Sequence, residues 1–366
     1  MHILVTTDTV GGVWTYTREL VTGLIAQGDT VTLISFGGKP TQQQCAWMNT
    51  LSALTFIDTD YPLEWMDDSE DGIAESTIFL RRVIAQTKPD LLHFSQYCYG
   101  SLSTTTPKVV VAHSDVVSWW KTVHESPPPD SSWFRWYRKV VKCGLEQADV
   151  VVAPSKWMLT TLLGEYGPVR DARVIHNGRT AALFNPSGEK ADMVVSVGRI
   201  WDKGKNVSLL TSHSQVVPVC IAGATARNDE DPHKTHELQN NGGITSLGTL
   251  TERQLSTLLS KSSIYAATSK YEPFGLAPLE AALSGCALVM NDIPVFRELW
   301  QNHAVFFRRD DATDLARAIA LLSGSPVLRD VYAKRAYDHA VKHFTTTRMI
   351  EDYSSLFREL LVGAAA

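Results

Sequence analysis

Short apolar runs alternate with helix-spaced segments along almost the whole of this chain. His2 to Thr6 reads as a buried strand, followed by the loop Asp8-Thr9-Val10-Gly11-Gly12. Val13, Tyr16, Leu20 and Leu24 then recur at helical spacing, with Gly28 at a C-cap position and Thr30 to Ser35 as the next strand. The pattern returns at Leu91–Phe94, Val109–Ala112 and Val150–Ala153. It resumes at Met193–Val197, Val219–Ala222, Ile264–Ala267 and Ala287–Met290. Strand–helix alternation of this kind predicts α/β architecture with doubly wound parallel sheets. No short-period repeat or heptad run competes with it.

A chain of 366 residues exceeds what one core usually supports, so two domains are expected. The turn-rich stretch from Asn177-Gly178 to Glu189 is the best boundary. It leaves a first domain over 1–178, a second over 190–345 and a helical tail over 346–366, with about four or five strands per domain expected.

At 44% apolar and 20% charged residues, the composition is that of an ordinary globular protein, and a net charge of −5 gives no reason to expect a nucleic-acid partner. The five cysteines stand apart without metal-ligand spacing, which suits reduced thiols in a cytoplasmic protein. No basic region leads into a long apolar run at the start, so a secretory signal is not expected. No segment reaches the roughly 20 apolar residues a membrane span needs.

Ligands of doubly wound sheets bind beyond the carboxyl ends of the strands, so the informative residues lie in loops just after strands. The most distinctive loop runs from Ser269 through Tyr271-Glu272-Pro273-Phe274-Gly275-Leu276-Ala277-Pro278-Leu279-Glu280 to Gly285. A helix is predicted from Leu276, with Pro278 in its first turn, to just before Gly285. Glu272 then lies in the loop and Glu280 about one turn into the helix. The amides of Phe274, Gly275 and Leu276 sit at its positive end, where an anion is favoured.

Two glutamates eight positions apart within Glu-Pro-Phe-Gly-Leu-Ala-Pro-Leu-Glu, after Ser-x-Tyr, resemble the signature of family 4 retaining glycosyltransferases. The resemblance implies the GT-B architecture, two Rossmann-like domains facing across a cleft, with the tail helix returning to the first domain. It implies that Glu280 binds the donor ribose, where a carboxylate can accept from both hydroxyls, and that Glu272 lies beside the transferred sugar. Backbone at Phe274, Gly275 and Leu276 is implied to contact donor.

Three further segments resemble the family in order. Gly11-Gly12 follows the first strand, where the missing Cβ lets backbone approach the donor phosphate. Gly198-Arg199-Ile200-Trp201-Asp202-Lys203-Gly204-Lys205-Asn206 follows a later strand, and there Arg199 and Lys205 are implied to clamp the diphosphate, with Lys203 as the alternative. That stretch is not a P-loop, because its glycine spacing and Asn206 both depart from the motif. His113, after Val109–Ala112, is implied to lie close to the transferred sugar.

The resemblance implies a hexosyltransferase that uses a UDP-, GDP- or ADP-sugar, retains anomeric configuration and needs no cofactor or metal. The acceptor is a sugar, a lipid-linked molecule or a small molecule. Asp58-Thr59-Asp60 is formally the metal-binding Asp-x-Asp of other glycosyltransferases, but its context argues against that role, and Asp229-Glu230-Asp231 reads as a solvated turn. Over 133–142 a helix would put Trp133, Trp136, Tyr137 and Val140 on one face and Arg135, Arg138, Lys139 and Lys142 on the other. Such a helix either packs its aromatic face on the sheet or lies peripherally on an anionic membrane. An epimerase of the same fold and a non-catalytic nucleotide-sugar-binding subunit are the alternatives. An NAD-type oxidoreductase would want Gly-x-Gly-x-x-Gly after the first strand, and it is absent.

Overall fold

The computed structural model describes residues 1–225 and 243–365. It divides into two compact units, Met1–Gly178 with Thr346–Ala366, and Arg179–Thr345. Among the described residues the first unit holds strands β1 (His2–Asp8), β2 (Thr30–Phe36), β3 (Leu54–Asp58), β4 (Leu91–Phe94), β5 (Lys108–Val111), β6 (Val150–Ala153) and β7 (Ala172–Val174). They form one parallel sheet in the order β3-β2-β1-β4-β5-β6-β7.

The second unit holds β8 (Ala191–Val197), β9 (Val219–Ala222), β10 (Ile244–Ser246), β11 (Ser262–Ala267), β12 (Ala287–Asn291) and β13 (Val305–Phe307), also all parallel, in the order β10-β9-β8-β11-β12-β13. The seven and six strands exceed the four or five expected per domain. The fold class is the expected one: two Rossmann-like doubly wound sheets.

The central strands are apolar on both faces because helices cover both faces of a parallel sheet. Ile3, Leu4 and Val5 of β1 are wholly buried, as are Val194 and Val195 of β8. Each such side chain contributes on the order of 2 kcal/mol relative to exposure.

The order of strands locates the crevice in each unit. In the first, the chain moves from β1 to β2 on one side and later returns to β4 on the other, so the switch point lies between β1 and β4. In the second it lies between β8 and β11. Loops leaving the carboxyl ends of these strand pairs diverge and leave room for a ligand.

The terminal helix Thr346–Ala365 belongs to the first unit and packs on helix Gly12–Ala26. A Cβ at Gly23 would stand 2.3 Å from Ile350 Cγ1, so the two helices approach as closely as they do because position 23 has no side chain. Met349, Ile350, Tyr353 and Phe357 join the core built on β1 and helix Gly12–Ala26. Thr346 donates to Glu19 Oε2 at 2.7 Å, and Arg348 donates to the His176 carbonyl.

Candidate active site

In the second unit, the loop after β8 (198–206) and the loop after β11 (268–275) flank the switch point and are laced together. Lys270 N donates to Gly204 O at 2.8 Å, and Thr268 Oγ1 to Lys205 O at 2.9 Å. Asn291, fully buried at the end of β12, donates from Nδ2 to Ser269 O and to Asp310 Oδ1, each at 3.1 Å. Asp310 Oδ1 also accepts from Asn206 Nδ2 at 3.1 Å. One amide and one carboxylate therefore hold both loops in register with the sheet.

Asp202 shapes the first loop. It accepts from Gly204 N at 2.8 Å through Oδ1 and from Arg199 Nη2 at 2.8 Å through Oδ2. The Arg199 guanidinium also lies over the Trp201 ring, 4.9 Å from its centroid, with its side chain 42% exposed. A planar, stacked guanidinium is already ordered for an incoming phosphate. Gly198 can pack beneath because a Cβ there would already be 3.1 Å from Lys205 Cβ.

Lys205 reaches across to the second loop. Its Nζ lies 2.6 Å from Glu272 Oε2, which also accepts from Ser269 Oγ at 3.3 Å. Lys203 is exposed on the outer turn of the same loop. Of the two lysines the sequence leaves open, Lys205 is the one drawn to the glutamate motif.

The helix Leu276–Leu283 starts after Gly275, whose φ of 95° is open to glycine and strained for other residues. Pro278 sits in the first turn, where its missing N–H costs nothing. The Phe274 ring is buried, edge-on to Phe344 at 5.4 Å, so this residue can face a ligand through its backbone alone. Glu280 follows on the helix, almost fully buried, 2.9 Å from Arg179 Nε. Arg179 escaped the sequence reading, as did the bracing roles of Asp202, Asn291 and Asp310.

In the first unit Gly11 and Gly12 follow β1, beside the switch point, and His113 follows β5, one strand beyond β4. Gly11 has φ 72° and precedes helix Gly12–Ala26, and no atom lies within 4 Å of where its Cβ would stand. Asp8 closes the preceding turn by accepting from Val10 N at 2.8 Å. His113 stands after β5, its Nε2 3.2 Å from Ser95 Oγ and its ring edge-on to Tyr16 at 4.6 Å. Removal from water pushes its pKa down to about 3, so it is a neutral imidazole at physiological pH. His93 behind it is likewise held down to about 3, by burial first and by His113 second. Gln96, 2% exposed just after β4, has neither amide atom hydrogen-bonded among the described residues. The sequence offers no sign of it beyond its place after a strand.

Two other segments resolve differently from their simplest reading. In helix Ser132–Gln147 the buried stripe is Phe134, Tyr137, Val141 and Leu145, which shares only Tyr137 with the expected face of Trp133, Trp136, Tyr137 and Val140. Trp133 instead donates its indole N–H to Met66 O at 3.0 Å and stacks on Tyr137. Three of the helix's four cations are matched on the surface: Arg135 with Asp130, Arg138 with Glu165, Lys142 with Glu146. Phe134 and Tyr137 point into the unit, while Trp133 and Trp136 are half-buried. At Asp58-Thr59-Asp60, Thr59 donates to Ser35 O at 2.7 Å, and Lys39 Nζ lies 4.0 and 3.6 Å from the two carboxylates. Asp229-Glu230-Asp231 lies outside the described residues. Among the described residues no helix is long and apolar enough to cross a membrane.

Two parallel Rossmann-like sheets, with a glutamate pair and a cationic loop at one switch point, define a glycosyltransferase of the GT-B class. Residues 10–182 match the Glycosyltransferase Family 4 domain and residues 183–339 the Glycosyl transferases group 1 domain, and the chain belongs to this family. It is similar to the O-antigen chain mannosyltransferase RfbU of Salmonella typhimurium, 25% identical over 215 residues that cover 56% of this chain and 61% of the relative. It is 27% identical to the alpha-maltose-1-phosphate synthase of Mycobacterium tuberculosis over 290 residues, 69% of this chain and 73% of the relative. Among solved structures, the sucrose-phosphate synthase of Thermosynechococcus elongatus superposes with a TM-score of 0.80 at 18% identity, covering 99% of this chain and all of that one (100%). Anabaena HepE in complex with UDP-glucose gives 0.74 at 17% identity, covering 98% and 100%.

Proposed function

We propose that this protein transfers a hexose from a nucleoside-diphosphate sugar to a hydroxyl acceptor with retention of configuration and without a metal. The observation that carries the proposal is the Lys205–Glu272 pair at 2.6 Å, spanning the two loops of the second unit's switch point, with Arg199 on one of those loops. A diphosphate entering there meets two cations on a loop braced by Asp202. By drawing Lys205 to itself, it leaves Glu272 to accept from a sugar hydroxyl. As the bond from the anomeric carbon to the diphosphate breaks, negative charge grows on the leaving group, and Arg199 and Lys205 stabilise it. Glu280 accepts from the ribose hydroxyls, and backbone at Phe274, Gly275 and Leu276 supplies donors at a helix N-terminus.

Retention is assigned to front-face attack. The acceptor oxygen bonds to the anomeric carbon on the side the diphosphate leaves, and its proton passes to a leaving phosphate oxygen. A double displacement with Glu272 as nucleophile is the alternative retaining route. In the first unit Gly11 and Gly12 allow close approach of backbone to phosphate. His113, kept neutral, is assigned to hydrogen-bond the transferred sugar. A polar acceptor, sugar or small molecule, fits this reading better than a membrane-held one, since three of the four cations of helix Ser132–Gln147 are already paired with carboxylates.

The choice of donor is supported by a structural neighbour that is described with UDP-glucose and by relatives named a mannosyltransferase and an alpha-maltose-1-phosphate synthase. A panel of UDP-, GDP- and ADP-hexoses tests the proposal. One should raise the unfolding temperature by mass action and be turned over when an acceptor is added. Protection without release of free nucleoside diphosphate would mark a binding subunit instead, and no protection by any of them would refute the proposal.

A further inference from the structure

Arg179 is among the most deeply buried large side chains of the protein, 1% exposed, at the start of the second unit. Its backbone is fixed by the neighbouring chain: its N–H donates to Phe344 O at 3.0 Å, and it forms a parallel bridge with Thr345. Its guanidinium serves two carboxylates on two helices. Nη2 lies 2.6 Å from Glu252 Oε1, at the start of helix Glu252–Lys261, and Nε lies 2.9 Å from Glu280 Oε1, on helix Leu276–Leu283. The Phe184 ring packs against the guanidinium at 5.2 Å.

A buried ion pair is a poor way to gain stability, because desolvation consumes most of the attraction. What a rigid, always-charged guanidinium supplies is a cation at a fixed position. Here the guanidinium is anchored by its backbone on one side and by its hydrogen bond to Glu252 on the other, so a positive charge stands at a fixed place 2.9 Å from Glu280 Oε1, and this ion-pair contact restrains the carboxylate. A carboxylate that must meet two adjacent hydroxyls at once benefits from that restraint, because an unheld glutamate would lose rotamer freedom on binding.

We infer that Arg179 is a positioning residue for nucleotide recognition, orienting Glu280 toward the ribose hydroxyls through the Nε contact. The inference rests on the reading of Glu280 as the ribose ligand, and the two can fail separately.

The test compares calorimetric dissociation constants for UDP, GDP and ADP with those of their 2′,3′-dideoxy counterparts, using whichever base binds tightest. In the native protein the ribose form should bind at least ten-fold more tightly than the dideoxy form. Glu280→Ala should bring the ratio to about three or less. Arg179→Met and Arg179→Lys should each lower it at least three-fold. The lysine variant keeps a buried cation, and with it the fold, but cannot hold two carboxylates in one plane. It carries the test should Arg179→Met not fold. A residue that merely stabilises the unit would weaken both nucleotides alike and leave the ratio unchanged. If Glu280→Ala keeps the native ratio, the ribose reading falls and the inference with it. If Glu280→Ala abolishes the preference while Arg179→Lys retains it, the positioning role alone is overturned.

Discussion

Glu64→Gln should make the first unit more stable at alkaline pH and leave it nearly unchanged at acidic pH. Glu64 is 3% exposed, and among the described residues no cation pairs with it. Its Oε1 accepts from Tyr97 N at 2.8 Å, and its Oε2 faces the Cys98 thiol at 3.6 Å. Burial raises its pKa from the ordinary 4.5 to about 7, although the Tyr97 amide pulls the other way.

The folded chain therefore holds this proton more tightly than the unfolded chain does. The resulting stability is fully present below pH 4.5. It is lost progressively as pH rises toward the folded value of about 7, then levels off. At about 1.4 kcal/mol per pH unit, the full loss is on the order of 3 kcal/mol. Glutamine preserves the carbonyl oxygen that accepts from Tyr97 and has nothing to ionise. Urea unfolding followed by tryptophan emission reads this unit, because only Trp201 and Trp300 of the ten tryptophans lie in the other. The gap between variant and native protein should widen by about 2–3 kcal/mol from pH 5 to pH 8. A gap that stays constant across that range would refute the argument, whatever its size.

Arg199→Ala and Lys205→Ala should lower the rate of donor cleavage more than they weaken nucleoside binding, because their partner charge is largest in the transition state. Steady-state kinetics with Lys203→Ala as comparison checks this, and a crippled Lys203→Ala beside a near-normal Lys205→Ala would reverse the assignment. Gly223→Ala should destabilise the second unit by about 1–3 kcal/mol and loosen donor binding. Its Cβ would stand 2.0 Å from Gly198 O, backbone that cannot swing aside. Gly164→Ala, in helix Lys156–Tyr166 with open space around it, should instead stabilise by about 0.5–1 kcal/mol in the same unfolding assay. Turnover after exhaustive EDTA treatment should stay within a factor of about two, and a complete loss restored by magnesium or manganese would contradict the cationic clamp.

The strands that escaped the sequence reading are instructive. Leu54–Asp58, Ala172–Val174, Ile244–Ser246 and Val305–Phe307 form the two edges of each sheet. An edge strand pairs on one side only, and three of these have just three residues. Leu54–Asp58, Ala172–Val174 and Ile244–Ser246 also lack the continuous apolar run that marked β1, β6 or β12. The helix after Gly275, by contrast, was legible to within a residue or two at each end, because Gly275, Pro278 and Gly285 each carry a local backbone signal. Helix Ser132–Gln147 shows the limit of such patterns. Its aromatic residues fit more than one stripe, and packing, not spacing, selected Phe134, Tyr137, Val141 and Leu145.

The candidate site divides along the same line. Glu272, Glu280 and Lys205 belong to contiguous motifs, and motifs survive in the sequence. Arg179 follows Asn177-Gly178, where a turn and a linker were the natural reading. Only the chain's pairing with Phe344 and Thr345 buries it beside Glu280. Asn291 and Asp310 brace the donor loops from strands and turns far along the chain, so no local spacing could announce them.

The central claim is that this chain transfers a sugar with retention, and the anomeric configuration of its product tests that most directly. The donor identified by the thermal panel is incubated with acceptor, and the first-formed product is read by proton NMR before mutarotation or hydrolysis intervenes. Front-face attack makes the leaving phosphate the proton acceptor, so an α-linked donor must give an α-linked product, seen as a small coupling of the anomeric proton in a gluco-configured sugar. A β-linked product would require attack from the opposite face with a base to take the acceptor proton. That result would contradict the proposed mechanism even if every binding residue proved correct.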